Sequence, residues 1–367
     1  MRLVLIGDGE SPHLLKWARA LSHHVDLWIA SSRGFDPAYN FIVPPHHRLA
    51  LETRPDHGGG NVALLGQLPK LGRWLRAVDA DWLHAHYLTS HGTLAWVAKK
   101  GWGLKAHIAG SAWGSDILVT PQQGAAWRWL TCRVLASCEV LTSDSEHMAA
   151  RMRELGAKDV MVFPFGLEAL PKHNVKKQPW LFYANRGLEP IYRPDRVIET
   201  FAAVAAQVPE ARLVVANDGS LRGALREQVR NLGLAERVEF AGRLAPAQQA
   251  AHYARSRWFL SLPASDSVAV SVLEAMAHEC VPILSDLPAN HELVGPGAGR
   301  GFVLADGFDA AQPPAQLPAQ LTAFDADAAG RANRAWVAEH ALFPPAVERF
   351  VARLKAASKL KAASKNS

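Results

Sequence analysis

The chain has 367 residues, of which 49% are hydrophobic and 20% charged, with a formal net charge of +6. That length accommodates two ordinary domains with separate cores, and the composition is that of a globular protein. No run of about 18 apolar residues occurs, so no transmembrane helix is expected, and the short apolar start of the chain reads as a first buried strand rather than a signal peptide.

The first half alternates short apolar strands with amphipathic helices. Strands are predicted over Leu3–Ile6, Val25–Ala30, Asp81–His86, Leu104–Ala109, Val140–Ser143 and Val160–Phe163. Helices are predicted over Pro12–Leu21, Thr93–Lys99 and Glu146–Leu155. A polar, proline-flanked segment, Pro171–Pro179, reads as a linker. The pattern then restarts, with strands at Trp180–Ala184, Arg212–Ala216, Val238–Phe240, Trp258–Leu262 and Val281–Ser285. Helices are expected at Arg196–Gln207, Leu221–Asn231, Gln248–Ala254 and from Val270. Such alternation predicts two parallel, doubly wound sheets, whose ligands bind at the carboxyl ends of the strands. The domains are expected at 1–170 and 180–343, joined by the linker 171–179. Gly307–Pro318 reads as a loop, and a last helix from Pro345 places Val347, Phe350, Val351 and Leu354 on one face.

The net charge is concentrated at the end. After Glu348 there is no acidic residue, and Arg349, Arg353, Lys355, Lys359, Lys361 and Lys365 account for all of it. A tail of this kind is not the distributed basic face that nucleic acid requires. It reads either as a docking element for an anionic membrane surface or as a solvated helix end. Cys132, Cys138 and Cys280 have neither metal-ligand nor disulfide-framework spacing, and they imply a reducing cytoplasm, at the inner membrane face if the tail docks.

The most informative segment is Pro263-Ala-Ser-Asp-Ser-Val-Ala-Val-Ser-Val-Leu-Glu-Ala-Met-Ala277, followed by Val281-Pro-Ile-Leu-Ser-Asp286. Small residues Ser267, Val268, Ala269, Val270 and Ser271 open a helical run and let a ligand approach the backbone. A helix N-terminus supplies N–H groups and partial positive charge, a seat for a diphosphate. Asp266 and Glu274 flank it as acceptors for sugar hydroxyls. Ser271-x-x-Glu274 reads alternatively as a capping box with no ligand. The segment, closed by His291-Glu-Leu-Val294, resembles the E-x7-E donor motif of the retaining GT-B glycosyltransferases of family 4, with Asp266 replacing the first Glu.

The resemblance extends over nearly the whole chain and is strongest from Trp180 to Val294. It implies the GT-B architecture: two Rossmann-like domains, an interdomain cleft and a C-terminal crossover helix within 344–367. Asn185-Arg186-Gly187 is similar to the family's donor-phosphate segment. Arg186 matches its Arg, and the Lys position falls on Tyr192, so Arg193 is the candidate second cation. Val214-Val215-Ala216-Asn217-Asp218-Gly219 resembles the family's strand and Gly-x-Gly turn, and Gly242-Arg243 sits where the family's backbone reads the nucleobase. In the first half, Gly7-Asp8-Gly9 matches a glycine loop near the diphosphate. The strand alternation points His84 and His86 to one side, with His86 favoured for the cleft and His13 either lining it or facing solvent. Trp113-Gly-Ser-Asp116 is similar to the family's His-Gly-x-Asp, with Trp113 in the His position and Asp116 retained.

The resemblance implies a metal-independent transferase without a cofactor that moves a sugar from a nucleotide donor, with retention, to a glycan or lipid-linked acceptor. In that role Asp266 orients the sugar, Glu274 binds the ribose, and Arg186 and Arg193 receive the diphosphate. The alternatives are a catalytically silent GT-B binding subunit, a sugar-nucleotide epimerase of the same fold and, last, a nicotinamide oxidoreductase, which lacks its full glycine fingerprint.

Overall fold

The computed structural model describes residues 1–53, 62–172, 175–295, 297–305 and 316–365. The chain forms two compact units, Met1–Pro164 with Phe343–Ser367, and Phe165–Leu342.

Unit 1 is built on a seven-stranded parallel sheet of β1 (Arg2–Gly7), β2 (Asp26–Ser31), β3 (Arg48–Ala50), β4 (Trp82–His86), β5 (His107–Ser111), β6 (Val140–Ser143) and β7 (Val160–Val162), in the order β3-β2-β1-β4-β5-β6-β7. Its central strands are buried on both faces, so they read as continuous apolar runs rather than alternating ones. Helix α1 (Pro12–Ser22) starts at Ser11, whose side chain accepts the His13 amide and caps the first turn. Helices α2 (Leu68–Val78), α3 (Thr93–Trp102) and α4 (Ala125–Ser137) cover the sheet as well. The strand predicted at Leu104–Ala109 begins instead at His107, because Gly103 takes a left-handed φ of 61° and turns the chain out of α3 first.

Unit 2 repeats the plan with six parallel strands, β8 (Gln178–Ala184), β9 (Arg212–Ala216), β10 (Val238–Gly242), β11 (Ser256–Ser261), β12 (Val281–Ser285) and β13 (Phe302–Leu304), in the order β10-β9-β8-β11-β12-β13. Both sheets therefore follow the doubly wound order, with topological switch points between β1 and β4 and between β8 and β11. The helices used below are α5 (Pro194–Ala205), α6 (Pro246–Arg255), α7 (Val270–Ala277) and α8 (Ala326–His340).

The segment read as a linker is in part core. Gln178 and Pro179 already belong to β8, and Lys177 is buried, its Nζ donating to the carbonyls of Tyr253 and Ser256 at 2.8 Å each. Residues 173–174, within that segment, lie outside the described residues, as do 306–315 of the expected loop Gly307–Pro318. At the far end of that loop, Leu317–Ala323 is helical.

Helix α9 (Phe343–Lys365) returns to unit 1, as expected of the last apolar-periodic segment. Val347, Phe350, Val351 and Leu354 are buried, and Phe343 and Phe350 meet Trp17 of α1 edge-on at 4.9 and 5.4 Å between ring centroids. Trp82 Nε1 donates to Ser358 Oγ at 3.0 Å, and Arg353 pairs with Asp159. The repeated basic tail continues the helix to Lys365.

Candidate functional site

In unit 2 the motif residues meet at the switch point. Arg186 follows β8 and Asp266 follows β11, two strands that are neighbours in space although far apart in sequence. Arg186 Nη2 donates to Asp266 Oδ2 at 2.6 Å, and Nη1 reaches Ser271 Oγ at 3.4 Å. Both members of the ion pair are about four-fifths covered. Burial pushes the Asp266 carboxyl above its ordinary range, while the Arg186 guanidinium and the Ser267 amide pull it back down. Tyr192, which occupies the expected Lys position, lies with its ring 4.4 Å from the Arg186 guanidinium carbon. A cation–π contact thus stands where a second cation was expected.

Arg193 adopts a left-handed φ of 45° at the start of α5, and its side chain is half-buried. The three-residue helical turn Pro190–Tyr192 is tied to the motif loop, since Ala264 donates its amide to the Ile191 carbonyl at 2.9 Å. This bond holds the cationic turn against the loop that carries Asp266.

The capping-box alternative for Ser271 is overturned. Helix α7 starts after Ala269, and no side chain caps it. Ser271 lies in the first turn with its hydroxyl toward Arg186, not on its own backbone. The amides of Val270 and Ser271 therefore have no intrahelical acceptor, which leaves an electropositive end beside Asp266. Ser267, Val268 and Ala269 are buried, and Val270 and Ser271 half-buried.

Glu274, on the next turn of α7, accepts the phenolic proton of Tyr253 at 2.9 Å. Tyr253 OH in turn accepts from Asn185 Nδ2 at 2.7 Å, and the same amide donates to Gln249 Oε1 at 2.8 Å. Burial and the Glu274 carboxylate hold the Tyr253 phenol well above its ordinary range, so it remains a donor. Sequence reading missed Tyr253, because it lies on α6, far from the motif, and an isolated Tyr in an amphipathic helix carries no local signal of a polar partner.

Asn217 takes the positive φ of 82° expected of it, and its amide donates to Gly242 O at 2.6 Å. Gly219 has no room for a side chain, because an added Cβ would lie 2.5 Å from the Leu188 carbonyl oxygen. Gly242 ends β10 with φ 69° and open space on its Cβ side, and Arg243 beyond it is exposed.

Unit 1 places its candidates differently. Gly9 is held by packing: an added Cβ would meet Gly34 O at 2.5 Å, and its amide donates to Ser31 Oγ at 2.8 Å. That donor is spent inside the protein. His86 ends β4 and is only 2% exposed, so it is not a loop residue. Its Nδ1 accepts the indole N–H of Trp113 at 3.1 Å, and its buried Nε2 has no partner among the described residues. Burial, with His84, His91 and His13 nearby, holds this imidazole neutral, far below its ordinary range. His84 shares its side of the strand, at 4.6 Å between ring centroids, and bonds Ser111 Oγ at 2.8 Å.

Trp113 is flanked by His13 at 4.7 Å and by Tyr87, stacked at 6.0 Å. Tyr87, with a left-handed φ of 58°, opens a single π-helical stretch, Tyr87–Gly92. Such π turns frequently mark functional sites. Asp116 is buried and organises this corner: its carboxylate accepts the Leu88 amide at 2.8 Å and the Trp113 amide at 2.9 Å. Burial raises its carboxyl to about 6 in spite of those donors. Asp116 therefore positions the Trp113 loop.

Comparison with known proteins finds glycosyltransferases. A "Glycosyl transferases group 1" model matches residues 156–313, and a "Glycosyl transferase 4-like domain" model matches residues 11–166. The chain is 35% identical over 81 residues to an alpha-monoglucosyldiacylglycerol synthase of Streptococcus pneumoniae, covering 22% of this chain and 18% of that one. It is 28% identical over 151 residues to a GDP-mannose:cellobiosyl-diphosphopolyprenol alpha-mannosyltransferase of Xanthomonas campestris, covering 39% and 38%. Identity to an N-acetyl-alpha-D-glucosaminyl L-malate synthase of Bacillus anthracis is 24% over 221 residues, covering 57% of each. The matched region thus spans less than two thirds of each of these curated relatives. Anabaena HepE in complex with UDP-glucose superposes with a TM-score of 0.71 at 16% identity, covering 97% of this chain and 100% of that one. Sucrose-phosphate synthase from Thermosynechococcus elongatus superposes with a TM-score of 0.75 at 15% identity and the same coverage.

Proposed function

The chain belongs to the GT-B glycosyltransferases of family 4, and on that premise we propose that it transfers a sugar, with retention, from a nucleotide-diphosphate donor to a glycan or lipid-linked acceptor. The observation that carries this reading is the Arg186–Asp266 pair set against the uncapped start of α7 at a topological switch point. A cation and free helix amides converging there suit a diphosphate. A carboxylate beside them suits the hydroxyls of the attached sugar, and Glu274, oriented by Tyr253, suits the ribose.

In the reaction the bond from the anomeric carbon to the diphosphate oxygen breaks as the acceptor hydroxyl bonds to the same face. The acceptor proton passes to the departing phosphate oxygen. Arg186, Arg193 and the α7 amides stabilise the charge on that oxygen, and preorganised donors of this kind are worth several kcal/mol. Side-chain cations do what a metal ion does elsewhere, so transfer is metal-independent and needs no cofactor. The relatives named for diacylglycerol and polyprenol substrates favour a lipid-linked acceptor. Action on such an acceptor is expected in the cytoplasm at the inner membrane face. Among the described residues no helix is long and apolar enough to cross a membrane.

The test is turnover of UDP-, GDP- and ADP-sugars with lipid-linked acceptors in chelator-containing buffer, the product's anomeric configuration being read by proton NMR. An α-linked product from an α-linked donor is expected. Donor binding without transfer to any acceptor would favour the silent-subunit reading, and conversion of the donor sugar without an acceptor would favour an epimerase.

A further inference from the structure

Helices α2, α3 and α4 lie side by side on unit 1, and none of them contains an acidic residue. Their outward positions carry Lys70, Arg73, Arg76, Lys100, Arg128 and Arg133, all exposed. From Trp82 to Cys138 the chain has one acidic residue, Asp116, which is buried, and six of its twelve tryptophans. Folded surfaces ordinarily intersperse charges of both signs. Apart from Asp79, exposed at the C-cap of α2, the three neighbouring helices present charge of one sign, and such a face points to a partner.

Helix α4 shows what kind of partner. Thr131, Val134 and Leu135 point into the core, and the outward face presents Arg128, Trp129, Arg133 and Ala136. Trp129 is 54% exposed, although an indole is among the largest apolar side chains that folding can bury. It leans on Trp96 of α3, 6.4 Å between ring centroids, and the Arg133 guanidinium lies 5.6 Å from its ring. An indole at the surface with cations beside it is the arrangement favoured at the boundary between headgroups and acyl chains. A nucleic acid would fit less well, since the Arg133 guanidinium occupies a ring face on which a base would stack.

We propose that the α2–α3–α4 face, with the exposed Trp129 on α4, docks unit 1 on an anionic phospholipid bilayer. This surface is distinct from the basic tail of α9. The docking deepens the proposed function by holding the enzyme where a lipid-linked acceptor is presented, and it rests on that reading only for its purpose.

Co-sedimentation of the full chain with vesicles of phosphatidylcholine, with and without phosphatidylglycerol, tests it. Binding is expected only with phosphatidylglycerol and should weaken with salt. Arg128→Glu with Arg133→Glu should lower the bound-to-free ratio about tenfold or more, each lost cation contributing on that scale. Trp129→Ser should lower it severalfold at high salt as well, while Lys355→Glu with Lys359→Glu should leave it within about twofold. Unchanged melting temperatures and nucleotide binding in every variant separate lost docking from lost fold or a failed donor site. Absence of vesicle binding, binding lost only in the tail variant, or displacement from vesicles by a polynucleotide would each overturn the proposal.

Discussion

Trp113 donates its indole N–H to Nδ1 of His86 across 3.1 Å, joining the loop after β5 to the end of β4. The imidazole at this corner thus comes from β4, and the Trp that stands in the family's histidine position sets its tautomer. His86 Nε2 is buried and has no partner among the described residues, so removing the indole donor strands the second nitrogen too. Trp113→Phe is expected to cost about 1–3 kcal/mol in stability, the penalty of a buried polar atom left unsatisfied. Chemical denaturation of both proteins measures it, and equal midpoints would show that the bond contributes nothing.

Acid should unfold unit 1 early. His84 is pushed down to about 3, His91 to about 4 and His86 well below its ordinary range, all by burial. In the unfolded chain each titrates near 6.5. Between those values only the unfolded state binds these protons, so stability is complete above about pH 6.5 and is lost as pH falls toward 4. Asp116, raised to about 6, acts in the opposite direction, since the folded state takes up its proton first. Three imidazoles outweigh one carboxyl. The melting temperature is expected to drop by roughly 5 °C or more from pH 7 to 4.5, with a smaller drop in a His84→Gln variant.

Tyr253→Phe removes one hydroxyl and leaves the rest of the ring packing in place. Asn185 retains Gln249 as an acceptor, so the loss falls on Glu274, whose carboxylate loses the phenolic donor that orients it. Donor affinity should fall about tenfold, equivalent to a hydrogen bond to a charged group, with little change in turnover at saturating donor. A variant with unaltered donor KM would show that Tyr253 only packs.

Arg186 and Asp266 should behave as a unit. Arg186→Ala leaves Asp266 in a covered site with no guanidinium, and its carboxyl, already raised by burial, rises further. Asp266→Asn leaves the guanidinium half-satisfied. The double variant should be less destabilised than the sum of the two, with an interaction free energy of about 1–3 kcal/mol. Strictly additive effects in a denaturation cycle would contradict the pairing.

The central strands of both sheets and the donor motif were legible in the sequence, because buried parallel strands are uninterrupted apolar runs and α7 follows β11 within one local segment. The three-residue strands β3 and β13 were not, since they are too short to show a period. Helix α4 escaped because its outward face carries Trp129 and Ala136 beside its arginines, which blurs the apolar stripe. Helix α8, in which six of fifteen residues are alanine, gives an equally weak pattern. The site contacts that sequence could not supply are long-range ones: Tyr253 to Glu274, Trp113 to His86 and Ser31 to Gly9. The last shows why a glycine loop alone is poor evidence, because its amide already has a hydroxyl partner within the protein.

The donor site is tested most directly by isothermal titration of UDP-, GDP- and ADP-sugars into the wild type and Glu274→Gln. The account predicts that one nucleotide class binds the wild type and that Glu274→Gln weakens it about tenfold or more, both proteins being equally folded. Equal affinity in the two proteins, or no heat from any nucleotide sugar, would contradict it.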